Sequence, residues 1–132
     1  MEILLIDDHA LIQELMPPVL RKAFGEVEIV PASDLESAFQ RLAHHNPPDL
    51  ALLDLGLPGH SGLDTLRRFR WKFPSVRVVI LSSTDDAATV RVAQGMGVVG
   101  YVFKTATPDQ MIEAFKLIAA GGTFFPEQQP NK

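Results

Sequence analysis

Leu50-Ala51-Leu52-Leu53-Asp54-Leu55-Gly56-Leu57-Pro58 opens with an unbroken apolar run of strand length, which exits into an acid and then a Gly/Pro turn. A run that is apolar at consecutive rather than alternate positions suits a strand covered on both faces, as in a parallel sheet packed between helices. Upstream lie Ile3-Leu4-Leu5-Ile6 and Val27-Glu28-Ile29-Val30. Downstream lie Val76-Arg77-Val78-Val79-Ile80-Leu81 and Val98-Val99-Gly100-Tyr101-Val102-Phe103. The run at 27–30 alternates more than the others and predicts an edge strand.

Amphipathic stretches separate these runs. Leu11, Leu15, Val19 and Ala23 recur at every fourth position, and Leu35, Ala38, Phe39 and Leu42 follow a Ser33 or Asp34 cap. Leu63, Leu66, Phe69 and Phe73 form a stripe entered through Gly62 and stopped by Pro74. Val90, Ala93 and Met96 follow an Asp85 or Asp86 cap and end at Gly95 and Gly97. Thr107-Pro108 opens a last helix carrying Met111, Ile112, Phe115 and Ile118, closed by Gly121-Gly122. Pro17-Pro18 falls inside the first pattern, where an interior proline deletes a donor and costs about 3 kcal/mol. Because apolar positions continue past it, a kink is expected there rather than an end. Strand and helix alternate five times, so the fold class is α/β: one parallel sheet with helices on both faces, joined by right-handed crossovers.

The chain has 132 residues, room for one domain, and its 46% hydrophobic and 21% charged content excludes wholesale disorder. Zero cysteines exclude a disulfide scaffold, a thiolate zinc site and a cysteine nucleophile. Lys plus Arg is 12 against 16 Asp plus Glu, a net charge of −4 that argues against polyanion binding. The N-terminal apolar run is cut short by Asp7-Asp8, unlike a secretory signal, and no segment has the length of a membrane span. A soluble, cytoplasmic protein is expected.

In an open parallel sheet, ligands bind beyond the carboxyl ends of the strands. The first strand exits into Asp7-Asp8, the third into Asp54, the fourth into Ser82-Ser83-Thr84 and the fifth into Lys104-Thr105. Three carboxylates, a hydroxyl and an ammonium thus project from one edge. Acids brought together repel one another unless a cation joins them. An oxygen donor set suits a hard divalent ion, and Mg²⁺ keeps several waters where few ligands are offered. Such a site is competent for phosphoryl chemistry, in which metal and lysine neutralise the equatorial oxygens while a carboxylate attacks in line.

Taken singly, each motif has a plainer meaning. Asp-Asp after a strand is most often a helix cap, Asp54 before Gly-Leu-Pro a turn residue, and Lys104 a solvated charge. Their joint occurrence at these places favours one site. His9, His44 and His45 read as surface or cap histidines, without a second ligand at helical metal spacing. Gly59-His60-Ser61-Gly62-Leu63 lacks the final glycine of a nucleophile elbow. Arg67, Arg68, Arg70, Trp71 and Lys72 read first as a solvated helix face, with an acidic partner or an intramolecular contact as the alternative.

These residues resemble a response-regulator receiver domain, the phosphoacceptor module of two-component signalling, and the likeness covers nearly the whole chain. It is carried by Asp7-Asp8, Asp54-Leu55-Gly56-Leu57-Pro58 with Gly62, Leu81-Ser82, and Tyr101-Val102-Phe103-Lys104. The resemblance implies a flavodoxin-like, doubly wound (βα)5 fold with strand order 2-1-3-4-5. It implies that Asp54 accepts phosphoryl from a sensor histidine kinase or phosphotransfer protein. Mg²⁺ (or Mn²⁺) would be held by Asp8 directly and Asp7 through water, with Asp54 and the Gly56 carbonyl. Lys104 would pair with Asp54 and then with the phosphoryl group. Ser82 would swing toward the new oxygens, and Tyr101 would move from an outward to an inward rotamer. A phosphorylation-dependent homodimer is a further implied partner.

Asp-Asp-His after the first strand, Gly-Tyr-Val-Phe-Lys at the fifth and Ala119-Ala120-Gly121-Gly122-Thr123-Phe124-Phe125 are most similar to the NarL/FixJ (LuxR-type) transcription regulators. Those place a helix-turn-helix output domain after a linker, so DNA would be met only through such a domain and no membrane is involved. The expected organisation is a receiver over 1–122 and a tail, or the start of a linker, over 123–132. Ser82 stands where Thr is commoner, Ser83 where Ala is frequent, and Thr105 where many members have Pro. The resemblance implies that Gly56 and Thr84 occupy positions that tune dephosphorylation in the family. Two rivals stand beside this reading. One is a phosphorylation-independent interaction module. The other is an aspartyl-phosphate phosphatase or phosphotransferase, which needs a second Asp where this chain has Gly56.

Overall fold

A computed structural model describes residues 1–57, 62–83 and 85–126. Pro58, His60, Ser61, Thr84 and the tail from 127 onward, all named above, lie outside the described residues. The elements in chain order are β1 (Glu2–Ile6), α1 (Ala10–Phe24), β2 (Glu28–Ala32), α2 (Leu35–Leu42) and β3 (Leu50–Leu53). They continue with α3 (Gly62–Lys72), β4 (Arg77–Ser82), α4 (Ala87–Gly95), β5 (Gly100–Phe103) and α5 (Pro108–Ala119). The strands form one parallel sheet in the order β2-β1-β3-β4-β5, as the resemblance implied. β2 is an edge strand, which lets Pro31 sit opposite Leu5 without costing an interior ladder bond.

Alternate residues of each central strand feed two cores. Leu4, Ile6, Ala51, Leu53, Val78 and Ile80 face Leu35, Leu66, Phe69 and Val90 of α2, α3 and α4. Ile3, Leu5, Leu50, Leu52, Val79 and Leu81 face Met16, Leu20, Met111, Phe115 and Ile118 of α1 and α5. Burial on both faces explains the continuous apolar runs, each buried Leu or Ile contributing about 1.5–3 kcal/mol of transfer free energy.

The caps follow the local chemistry. Asp34 accepts from the Ser37 backbone N–H in a capping box, Asp86 caps α4, and Thr107 pairs with Gln110 in a second box at α5. Helix α1 corrects the stripe expected for it. Its buried residues are Ile12, Met16, Val19 and Leu20, whereas Leu11 is 72% exposed. A strict four-residue spacing gains about 40° per step on a helix of 3.6 residues per turn, so such a stripe rotates off any one face. α1 also runs through Pro17 and Pro18 as one helix rather than two pieces, with Met16, Val19 and Leu20 holding both sides of the pair to the sheet.

Past the expected boundary at 122, Phe124 forms a parallel bridge with Gly100. The Tyr101 N–H donates to the Phe124 carbonyl at 2.9 Å, and the Phe124 N–H donates to the Val99 carbonyl at 3.1 Å. A Cβ on Gly100 would lie 2.8 Å from Ile118 Cδ1 and 3.2 Å from the Phe124 carbonyl oxygen. Gly100→Ala is therefore expected to cost about 1–3 kcal/mol, seen as a lower urea midpoint at unchanged m.

Candidate functional site

Each principal site residue stands one step beyond a strand, or at its last position, where the sheet ladder still fixes its backbone. The Asp7 N–H donates to the Ala32 carbonyl at 3.0 Å, the Asp54 N–H to the Ile6 carbonyl at 3.0 Å, and the Lys104 N–H to the Ser82 carbonyl at 2.9 Å. The order β1-β3-β4-β5 then sets Asp7, Asp54, Ser82 and Lys104 side by side at one rim. Asp7, Asp54 and Ser82 are buried at 1%, 3% and 2% exposure.

Two buried carboxylates need a counter-charge, and Lys104 provides it. Its Nζ lies 2.8 Å from Asp7 Oδ2 and 3.2 Å from Asp54 Oδ2. These are ion-pair contacts without hydrogen-bond geometry, so each Oδ2 is buried with no hydrogen-bond partner among the described residues. Asp54 Oδ1 accepts from the Gly56 N–H at 2.9 Å. Asp8 keeps more than a third of its side chain in solvent. A cleft of about 330 Å³ opens over Asp54, with Gly56, Gly62, Ser82, Ser83 and Lys104 in its wall.

Two residues that sequence reasoning passed over belong here. His9, read as a surface or cap histidine, occupies the α1 N-cap position, but its side chain makes no cap bond. Its Nδ1 turns instead into the site, 2.8 Å from Asp7 Oδ1, 3.4 Å from Asp8 Oδ1 and 3.0 Å from Lys104 Nζ. The one available signal was its position directly after the acid pair. Gln13 Nε2 lies 3.0 Å from the Asp7 carbonyl, 3.2 Å from that of Ala32 and 3.3 Å from that of Leu5. Its amide thereby ties α1 to the ends of β1 and β2, a role that no spacing announces.

The donor set fits a hard divalent cation. Carboxylate oxygens of Asp7, Asp8 and Asp54 and one nitrogen of His9 all lie within 4.8 Å of one another. Two of those carboxylates are buried with an oxygen that lacks a hydrogen bond. By contrast, the basic-aromatic cluster lies outside this site on the solvent face of α3. There Asp64 pairs with Arg67 and Arg68 at 3.0 and 3.4 Å, and Trp71 is 87% exposed.

Tyr101 is fully buried, with its hydroxyl hydrogen-bonded to Ser82. Of the two rotamers expected, this is the inward one. Burial pushes the phenol above its usual value of 10.0; the charges of Asp86 and Asp85 add to the rise and the Ser82 bond opposes it. The unfolded chain therefore ionises at lower pH than the fold does. Stability from this group is complete below pH ~10 and falls as pH rises from there toward the folded value. Tyr101 is the sole tyrosine, so alkaline titration of phenolate absorbance reads it alone. The folded midpoint should lie above that of the urea-unfolded chain, and Tyr101→Phe should remove the corresponding part of the alkaline loss of stability.

Residues 3–116 match the family described as the response regulator receiver domain. The chain is 36% identical over 125 residues to the glycerol metabolism activator of Pseudomonas putida, covering 95% of this chain and 57% of that protein. It is 36% identical over 119 residues to the nitrate/nitrite response regulator protein NarL of Escherichia coli K12, covering 90% and 55%. The chain thus spans a little over half the length of these curated relatives. A crystal structure of a LuxR family DNA-binding response regulator from Silicibacter pomeroyi superposes with a TM-score of 0.77 at 30% identity, covering 95% of both chains. The chain belongs to the response-regulator receiver domains, and within them it is most like those of the LuxR/NarL-type transcription regulators.

Proposed function

We propose that this chain is a phosphoacceptor switch that takes a phosphoryl group from the phosphohistidine of a sensor kinase, or of a phosphotransfer protein, onto Asp54. The observation that carries this reading is the Asp54 carboxylate, 3% exposed, contacted by Lys104 at 3.2 Å and opening onto the cleft. An Asp54 oxygen forms a bond to phosphorus as the histidine N–P bond breaks, and the imidazole leaves with that bond's electrons. The Gly56 N–H bond to Oδ1 orients the nucleophile. Lys104, released from part of its pairing with Asp54, follows charge onto the phosphoryl oxygens. Mg²⁺ (or Mn²⁺), held by Asp7, Asp8, Asp54 and the Gly56 carbonyl, would neutralise the transferring group.

The Ser82 hydroxyl connects this event to the rest of the fold. It is bonded to Tyr101, and a phosphoryl group brings about 1.5–2 negative charges and new acceptors that compete for it. Tyr101 lies on β5, beside α4 and the segment that carries Phe124, so a change at Ser82 biases that face. Output through a helix-turn-helix domain, a phosphorylation-dependent homodimer and action in the cytoplasm belong to this proposal. So does the restriction of catalysis to the chain's own phosphorylation and dephosphorylation. No described helix is long and apolar enough to cross a membrane.

Incubation with acetyl phosphate and Mg²⁺, read by intact mass, should give one acid-labile phosphoryl adduct. An unmodified chain, with the donor and with a cognate kinase alike, would favour the interaction module. Steady release of phosphate from a small substrate would favour the enzyme.

A further inference from the structure

Among the described residues His9 supplies the nitrogen donor of the acidic cluster, and its neighbours place competing demands on one ring proton. Nδ1 lies 2.8 Å from Asp7 Oδ1, 3.4 Å from Asp8 Oδ1 and 3.8 Å from Asp54 Oδ2. It also lies 3.0 Å from the Lys104 ammonium, which only donates. With Nδ1 carrying hydrogen, the ring satisfies one carboxylate oxygen and points that hydrogen's charge at the ammonium. With Nδ1 bare, it accepts from Lys104 and sets a lone pair against Asp7 Oδ1. Three carboxylate oxygens and one ring nitrogen within 4.8 Å of one another all offer lone pairs, and a divalent cation is a species that can accept them together. The separations of 2.8 Å to Asp7 and 3.4 Å to Asp8 are short enough for one ion to bridge the ring and both acids. The Asp7 and Asp54 oxygens left without hydrogen bonds supply the buried charge such an ion needs. The ring is 58% exposed on the side chain, so it can adjust toward the ion without disturbing the core.

We propose that His9 is an additional protein ligand of this metal centre, and that its imidazole shifts the preference of the centre from Mg²⁺ toward first-row transition ions such as Co²⁺ and Zn²⁺. The inference rests on the metal-dependent phosphoacceptor reading and adds to it a residue that decides which ion the centre holds. Mg²⁺ prefers oxygen ligands and keeps its waters, so it draws little from the ring. Co²⁺ and Zn²⁺ accept imidazole readily and stand above Mn²⁺ in the usual order of affinity.

Calorimetric titration of the full chain with Mg²⁺ and, separately, with Co²⁺ tests this without any measurement of phosphorylation. The variants are His9→Ala and His9→Asn, the second retaining a good helix N-cap. Both should bind Co²⁺ more weakly by at least the ~10-fold that loss of even an outer-shell partner costs. Their affinity for Mg²⁺ should stay within about twofold of the parent, being set by the oxygen ligands. The visible spectrum of bound Co²⁺ should change in the same variants. Unchanged Co²⁺ affinity, with Mg²⁺ still binding, would overturn the role given to His9 and leave the phosphoacceptor reading intact. An equal fall for both ions would also overturn it, since that is the mark of a residue that only positions Asp7. Failure of the parent chain to bind Mg²⁺ at all would instead overturn the phosphoacceptor reading.

Discussion

Asp54→Asn is expected to give a folded chain that acquires no phosphoryl group and resists urea better than its parent. The first effect is complete because a carboxamide oxygen is too weak a nucleophile to displace the leaving imidazole, whatever its position. The second follows from the charge balance of the rim. Asp7 and Asp54 are both buried and share one ammonium, so each holds the other's like charge within a few ångströms. Asparagine keeps the shape and the oxygen that accepts from Gly56, while removing one charge from that pair. The gain should be about 1 kcal/mol, the size of a moderate like-charge repulsion, and a urea midpoint measures it. Intact mass after treatment with acetyl phosphate and Mg²⁺ measures the loss of the adduct. An adduct of undiminished yield in Asp54→Asn would place the acceptor elsewhere and refute the assignment.

Those two results together would show what kind of site this is. A chain that becomes more stable when its nucleophile is neutralised has held that charge in place against its folding interest, as functional sites do. The strain is also why the site was legible in the sequence. Acids and a lysine placed together at the ends of nearly unbroken apolar runs exceed what caps and turns require, and the sheet ladder fixes where those ends fall. Counting runs therefore located Asp7, Asp54, Ser82 and Lys104 before any contact was known.

What spacing could not supply was side-chain direction. His9 sits at a helix N-cap position, where a polar residue needs no further explanation, and only its ring's turn toward Asp7 reveals it. Gln13 is a polar residue on a helix until its amide is seen against three carbonyls. The α1 stripe failed for a related reason. Leu11 and Leu15 count as apolar in any window, yet the face that meets the sheet is set by Met16 and Leu20, which a strict four-residue count skips. Pairing of Phe124 with β5 was hidden in a segment expected to be a tail or the start of a linker, because an exposed strand edge recruits backbone groups whatever the side chains.

Lys104→Met should produce the largest loss of stability of any single substitution at the rim. Methionine matches much of the lysine stem and can fill the same space, so lost packing contributes little. What goes is the positive charge that lies 2.8 Å from one buried carboxylate and 3.2 Å from the other. Removing one partner of a buried ion pair typically costs about 3–5 kcal/mol, because the remaining charges stay buried without compensation. That is a large part of the 5–15 kcal/mol that holds a domain of this kind together, so the variant should unfold far earlier in urea. Lys104→Arg keeps the charge and should recover most of the stability, while its planar fork misplaces the donor and slows phosphoryl uptake.

The decisive measurement is the double variant Lys104→Met with Asp54→Asn. If Lys104 stabilises the fold by compensating Asp54, deleting its charge costs less once Asp54 is neutral. The two changes should then fail to add by at least ~1 kcal/mol. Additivity within about 0.5 kcal/mol would mean that Lys104 does not act through Asp54, leaving its contact with Asp7 and its packing to account for its effect. The paired charges would then cease to explain why Asp7 and Asp54 can be buried together, and the physical basis for a carboxylate held ready at this rim would go with them.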